Sequence, residues 1–258
     1  MKAMILAAGL GTRLRPLTDD RPKALVTVAG RTLLEITLCR LKSSGVSEVI
    51  VNTHHYADMI FEYLKANNNF GMRIEVSREE TLLDTGGGLK RAADFFLEGG
   101  SNSQEPFILH NVDVISTIDL ERMVRFHQEH SALATLAVQS RKTSRYLLFD
   151  EHGLLCGRRV SGGPTGDNEL PELARPAHQV HPLAFSGIHI ISPRVFAEMR
   201  EEGAFSIITT YLHLAARNER IVAFRADEYY WRDLGRPENL IEVERDLGSG
   251  LTLSRSTP

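Results

Sequence analysis

An α/β sandwich with a mainly parallel sheet is the fold class this sequence predicts. Three observations predict it: short apolar runs that stop at glycine or polar residues, helical-period segments between them, and short connections that force strand and helix to alternate. Met1 to Ala8 is an apolar run ended by Gly9, which reads as a buried strand. Arg31 to Ser44 places Leu33, Leu34, Leu38 and Leu41 at helical spacing, and Gly45 supplies a stop signal. Glu48 to Thr53 reads as a strand, Ala57 to Ala66 as a helix and Met72 to Ser77 as a strand. Gly87 to Leu97 is helical, Pro106 to Asn111 extended, Leu120 to His130 helical and Ala132 to Gln139 β-rich. Tyr146 to Asp150 and Leu154 to Val160 flank His152-Gly153, a hairpin signal. Residues 161–182 read as an irregular excursion rich in glycine, proline and mixed charge. Leu183 to Ile191 is a strand, Ser206 to Arg217 a helix, Arg220 to Ala226 a strand and Pro237 to Leu247 a helix. The expected organisation is one domain over 1–247, followed by a flexible tail over 248–258.

Composition narrows the function classes. The chain has 258 residues, with 30 Lys+Arg against 33 Asp+Glu and a net charge of −3. Hydrophobic residues make up 42%, which excludes a disordered chain, while the acidic balance excludes a basic nucleic-acid coat. Two cysteines, Cys39 and Cys156, cannot build a disulfide framework or a CxxC zinc site, so a reducing, cytoplasmic compartment is expected. The first apolar run is too short for a signal peptide or a membrane span. The expected partners are therefore small anions held at a local basic site, with neither nucleic acid nor membrane, by a monomer or homodimer.

That basic site lies between Ala7 and Lys23. Five basic side chains fall between Lys2 and Lys23, against Asp19 and Asp20. Gly9 and Gly11 let the backbone approach a ligand, and successive N–H groups there can form an anion nest. Arg13 and Lys23 add full charges suited to phosphate oxygens. No GxxxxGK[ST] occurs, which excludes a P-loop. Leu14 stands where a dinucleotide fingerprint needs Gly or Ala, which argues against an oxidoreductase. Asp113 follows a strand and Asp233 follows Tyr229-Tyr230-Trp231. Each is a carboxylate that could hold a hard cation or simply cap a turn.

The stretch MILAAGLGTRLRPLTDDRPKAL resembles the opening motif of the sugar-1-phosphate nucleotidylyltransferases, (L)AxGxGTRLxPLTxxxPKxL. The resemblance continues in order through Leu83-Asp84-Thr85-Gly86-Gly87-Gly88, Asn111-Val112-Asp113-Val114, Phe185-Ser186-Gly187-Ile188 and Trp231-Arg232-Asp233-Leu234-Gly235. It implies a Rossmann-like three-layer α/β/α sandwich with a mainly parallel mixed sheet and, here, no C-terminal β-helix. It also implies transfer of a nucleotidyl group from an NTP to a sugar 1-phosphate with release of pyrophosphate. By family position Arg13 would hold the β- and γ-phosphates and Lys23 the reacting centre. Ala7, Ala8 and Gly9 would face the base, Gly11 and Thr12 the phosphates, and Asp84 and Gly87 the base and sugar. Asn111, Ser186 and Gly187 would line the sugar pocket. Asp113 and Asp233 together would hold the catalytic Mg²⁺, with Asp113 also at the nucleotide.

One departure stands out: the family usually reads Gly-Asp where this chain reads Val112-Asp113, adding bulk where nucleotide and metal approach. The compact length and the LxTGGG segment most resemble the N-acetylmuramate 1-phosphate uridylyltransferases of cell-wall recycling. Mannose- and heptose-1-phosphate guanylyltransferases are the close alternative, and Ala-Ala-Gly at 7–9 favours the uridylyl group. A catalytically silent nucleotide-sugar-binding subunit is the alternative of another class. Its Arg13, Lys23, Asp113 and Asp233 would be free to vary, yet all four are present. Elsewhere, Asp84 or Thr85 could cap the helix they open. His127 and His130, at i and i+3, are expected to be exposed, and Cys39 to lie in the core. His54-His55 ends a strand near the site, and Ile207 to Ala215 is expected to pack.

Overall fold

The computed structural model describes residues 1–98, 105–160 and 171–252. In chain order the strands and helices are β1 (Lys2–Leu6), β2 (Thr27–Val28), β3 (Arg31–Thr32), α1 (Leu33–Ser43), β4 (Glu48–Thr53), α2 (Ala57–Ala66) and β5 (Arg73–Arg78). There follow α3 (Asp84–Arg91), α4 (Ala93–Leu97), β6 (Phe107–Asn111), β7 (Val114–Ser116), α5 (Leu120–Glu129), β8 (Ala134–Gln139), β9 (Arg145–Phe149) and β10 (Leu155–Val160). The chain closes with β11 (Glu172–Leu173), β12 (His181–Ile191), α6 (Val195–Glu198), α7 (Ile207–Ala216), β13 (Ile221–Arg225), β14 (Trp231–Asp233) and α8 (Pro237–Gly248).

The central sheet runs β11-β10-β9-β12-β6-β1-β4-β5, with β8 on β12 and β13 on β8. Only β12 and β10 run against the other strands, so the sheet is mixed and mostly parallel. β1 shows why its central strands are apolar throughout rather than alternating. Ala3 and Ile5 enter one core, with Leu34 and Leu38 of α1, Ile60 of α2 and Met123 of α5. Met4 enters the other, with Leu89 of α3, Phe96 of α4 and Tyr211 of α7. Strands covered by helices on both faces have no polar side to present, and the result is the three-layer sandwich.

Several local signals act as expected. Gly45, at φ 79°, closes α1: its N–H donates to the Lys42 carbonyl and that of Val46 to Leu41, both at 3.1 Å. Asp150 Oδ1 accepts from the His152 and Leu154 N–H groups, and Gly153 at φ 72° turns β9 into β10.

Other expectations need correction. The helix anticipated over Gly87 to Leu97 starts at Asp84 and breaks at Ala92, because Phe96 turns to stack on Phe107 with ring centroids 3.9 Å apart. Neither Asp84 nor Thr85 caps that helix in the ordinary way. Asp84 sits inside it at φ 58° with its carboxylate on the Thr85 N–H, and the Thr85 hydroxyl accepts from Ile207 N–H, serving α7. Within the excursion expected over 161–182, β11 and the first residues of β12 are extended, since β9 and β10 offer them ladder partners. Residues 161–170 lie outside the described residues, as do 253–258 of the expected tail, whose first residue, Gly248, ends α8. His127, expected at the surface, is 4% exposed and bonded to Thr135 Oγ1 at 3.0 Å, on the inward face of α5. Cys39, expected in the core, is half-buried.

Candidate active site

The site is built by register. Leu6 of β1 is paired with Asn52 of β4 on one side and Asn111 of β6 on the other, so three carboxyl ends stand in one row. The chain reverses its direction of growth across the sheet at β1, and such switch points open a crevice. A cavity of about 560 Å³ lies there. Ala7, Ala8, Gly9, Gly11, Thr12, Arg13, Lys23, Asp84, Asn111 and Asp113 line it, together with Asn52, Leu82, Thr85, Val112, Ala204 and Gly235.

The loop after β1 is held by side chains rather than by its own ladder. Ala7 N–H donates to Asn52 Oδ1 at 2.7 Å, and Asn52 Nδ2 donates to Glu79 Oε1 at 2.8 Å. The other Glu79 oxygen accepts from Leu83 N–H at 2.9 Å, tying the same network to the start of α3. Asn52 and Glu79 are each 2% exposed. Sequence reasoning singled out neither. The available signal was position: both are polar residues at or just beyond the carboxyl end of a parallel strand, β4 for Asn52 and β5 for Glu79. Gly11 requires its φ of 65°, and a side chain there would press on Thr18 Cγ2 at 3.0 Å; the Thr18 hydroxyl donates to the Gly11 carbonyl. The N–H groups of Ala8, Gly9, Leu10 and Gly11 bond to no other described group, leaving the donors that an anion nest uses.

Lys23 and Asp113 form an ion pair at the cavity floor, with side chains 10% and 17% exposed. Asp233 is brought beside them by backbone pairing. β14 runs antiparallel to β7 with Asp233 opposite Val114, and Leu234 N–H donates to the Asp113 carbonyl at 2.7 Å. Asp233 Oδ1 accepts from Gly235 N–H at 2.6 Å. A Cβ on Gly235 would lie 2.6 Å from that oxygen and 2.7 Å from Arg13 Nη2, so Arg13, Gly235 and Asp233 are in close apposition. Val112 lines the cavity between Asn111 and Asp113, yet it is 4% exposed, because most of its side chain packs in the core with α1 and α5.

The remaining expected residues fall elsewhere. Gly87 is off the cavity wall; its Cα faces the Gly203 carbonyl, which an added Cβ would approach to 2.4 Å. The three glycines of α3 let the helix pack on the 203–205 segment and on the Asn52–Glu79 network. Ser186 is fully buried with an unpartnered hydroxyl, and its carbonyl accepts from Trp231 Nε1 at 2.7 Å. Gly187, at φ 73°, turns β12 against Asn111 and Val114, so it shapes the wall from behind. His54 Nδ1 lies 2.9 Å from the Glu79 carbonyl.

Burial sets the electrostatics around this floor. Arg40 of α1 is 8% exposed, donates to the Ser116 and Ile118 carbonyls, and is pushed down to about 10 by desolvation. His110 of β6 is driven down to about 4 by burial and then by the Arg40 charge, so it stays neutral behind Asp113. Among the described residues no three His, Cys, Asp or Glu side chains converge on one point. No described helix is long and apolar enough to cross a membrane.

Comparison with known proteins agrees with this geometry. The family model described as nucleotidyl transferase matches residues 2–250. An N-acetylmuramate alpha-1-phosphate uridylyltransferase of Caulobacter vibrioides is 36% identical over 254 residues, covering 95% of this chain and 96% of that protein. Mannose-1-phosphate guanyltransferase beta-B of Xenopus laevis is 31% identical over 93% of this chain, which spans 63% of that longer protein. A UDP-glucose pyrophosphorylase from Acinetobacter baumanii superposes with a TM-score of 0.75 at 18% identity, covering 98% of this chain and 95% of that one, which shows the shared fold.

Proposed function

The chain belongs to the nucleotidyl transferase family, and from that premise we propose that it joins UTP to N-acetylmuramate 1-phosphate, forming the UDP-sugar and pyrophosphate. The observation that carries this reading is one cavity where the glycine loop, Lys23 and Asp113 meet at the ends of adjacent parallel strands. A phosphate oxygen of the sugar phosphate attacks the α-phosphorus of the nucleotide. A new P–O bond forms there, and the bond to the β-phosphate oxygen breaks as pyrophosphate leaves. The nucleophile is already anionic near neutral pH, so no general base is required. The obstacle is repulsion between two polyanions, and catalysis rests on placing donors and cations where that charge gathers. The free N–H groups after Ala7 and the Arg13 guanidinium hold the outer phosphates. Lys23 stabilises charge at the α-phosphate, which competes with Asp113 for its ammonium.

Asp113 and Asp233 would hold a Mg²⁺. Two neighbouring carboxylates without a third protein ligand fit a hard cation that completes its shell with phosphate oxygens and water. When bound, the ion would neutralise phosphate charge and align the leaving group. Two unpaired cysteines support a reducing compartment, and the sugar supports a place in reuse of cell-wall material.

The guanyltransferase relative favours one second reading, GTP with mannose 1-phosphate. The test is pyrophosphate release with UTP, GTP, CTP, ATP and dTTP, each paired with several sugar 1-phosphates, with Mg²⁺ and with chelator. Release confined to UTP and N-acetylmuramate 1-phosphate, lost with chelator, is expected. Release confined to GTP overturns the base assignment. Nucleotide-sugar binding with no release for any pair overturns the reaction and leaves a silent binding subunit.

A further inference from the structure

β9, β10 and β12 present a face whose residues join neither core. Leu147, Leu155 and Leu183 enter the core under α7. Tyr146, its register partner Arg159 and its other partner Ala184 belong to the opposite face. Arg159 places its guanidinium 5.1 Å from the Tyr146 ring centroid. Arg141 stacks 3.6 Å from the Trp231 ring centroid and donates to the Phe185 carbonyl at 2.6 Å, at the bend where β12 passes the cavity wall.

These two cations differ from their neighbours. Arg158 is paired with Glu172 and Arg175 with Asp150, whereas neither Arg141 nor Arg159 has a carboxylate within ion-pairing distance among the described residues. Each also buries a guanidinium Nε without a hydrogen-bond partner. Asp233 acts on Arg141 only through space, and a half-buried cation without a direct ion pair is costly and persists where something anionic is meant to meet it. Trp231 lies against the Arg141 guanidinium and Tyr146 near that of Arg159, and a guanidinium fork suits a planar carboxylate more than a neutral hydroxyl.

We propose that Arg141 and Arg159 form a carboxylate-recognition subsite that selects a sugar 1-phosphate bearing an acidic substituent. This rests on the N-acetylmuramate reading above, whose lactyl ether supplies such a group. The phosphate of such a sugar would lie at Lys23 and Asp113, and Arg141 is braced toward that floor by Trp231, which stands two residues before Asp233 on β14.

The test measures kcat/KM with UTP for N-acetylmuramate 1-phosphate and for N-acetylglucosamine 1-phosphate, which keeps the phosphate and N-acetyl group but lacks the carboxylate. The intact protein should prefer the acidic sugar. Arg159→Gln and Arg141→Gln should each reduce that preference by roughly tenfold to a hundredfold, the size expected for a charge-assisted hydrogen bond, through the KM of the acidic sugar. Arg141→Lys should restore part of it. Because Arg141 also braces Trp231, Arg159→Gln decides the matter if Arg141→Gln folds poorly. If the intact protein prefers the acidic sugar and Arg159→Gln keeps the preference, or loses both sugars in proportion, the subsite is refuted while the substrate reading stands. If the intact protein does not prefer the acidic sugar, the substrate reading fails and the subsite falls with it.

Discussion

Replacing Asn52 with alanine tests whether the glycine loop is held from below. In this structure one amide satisfies two partners at once, and only one orientation allows it: Oδ1 toward Ala7 N–H at 2.7 Å, Nδ2 toward Glu79 Oε1 at 2.8 Å. Truncation leaves a buried N–H and one buried carboxylate oxygen without partners. Each unsatisfied buried group costs about 1–3 kcal/mol, more where a charge is involved, so Asn52→Ala should lose about 3–5 kcal/mol. That is a large share of a typical domain's stability of about 5–15 kcal/mol. Urea unfolding followed by circular dichroism measures the loss. Because Ala7 and Asn52 both line the cavity, the KM for UTP should rise in parallel. Asn52→Asp adds a diagnostic pH dependence. It sets a second carboxyl against Glu79, the pair shares a proton, and the folded pKa of the pair rises. A raised acid pKa gives stability at low pH that is lost as pH climbs through it, so this variant should weaken between acidic and neutral pH more than the parent. A loss below about 1 kcal/mol in Asn52→Ala, with an unchanged KM for UTP, would refute the supporting role of the network.

Three further outcomes are expected. Lys23→Ala should lower kcat by about 10²–10³ while UTP binding remains measurable by calorimetry, as for removal of a donor at developing charge; a kcat within a factor of ten of the parent would displace Lys23 from the reacting centre. Gly235→Ala should reduce turnover at least tenfold with little change in unfolding midpoint, because the added methyl pushes Arg13 and Asp233 apart; normal steady-state kinetics would show that their apposition is unimportant. His110 and His127 are held near 4, and His189 near 3, chiefly by burial, below the unfolded value of about 6.5. The unfolded chain therefore takes up protons first, and stability should fall as pH drops below about 6.5, by up to about 1.4 kcal/mol per pH unit for each histidine. A urea midpoint constant from pH 7.5 to 5.5 would contradict this.

The order of elements and the anion loop were legible because their causes are local. Apolar runs of strand length, a helical period ending in Gly45, and a hairpin glycine act over a few residues, and those segments formed close to where they were expected. The loop from Ala7 to Lys23 declared itself by residue type alone, since glycines and cations in an acidic chain have few other uses. The tertiary structure decided what depends on residues far apart in the chain. Asn52 reaches Ala7 across 45 positions and Glu79 across 27, and Arg141 reaches Phe185 across 44. The run of glycines in α3 does not say by itself what comes close to it; in the fold Gly86 meets Phe205, Gly87 the Gly203 carbonyl, and Gly88 the Asn52–Glu79 pair. His127 looked exposed because helical spacing does not say which face meets the sheet. Periodicity encodes what each residue does to its own element. Which buried polar group meets which, and which charge is left without a partner, depends on how the layers stack, and that is set only when the sheet closes over both cores.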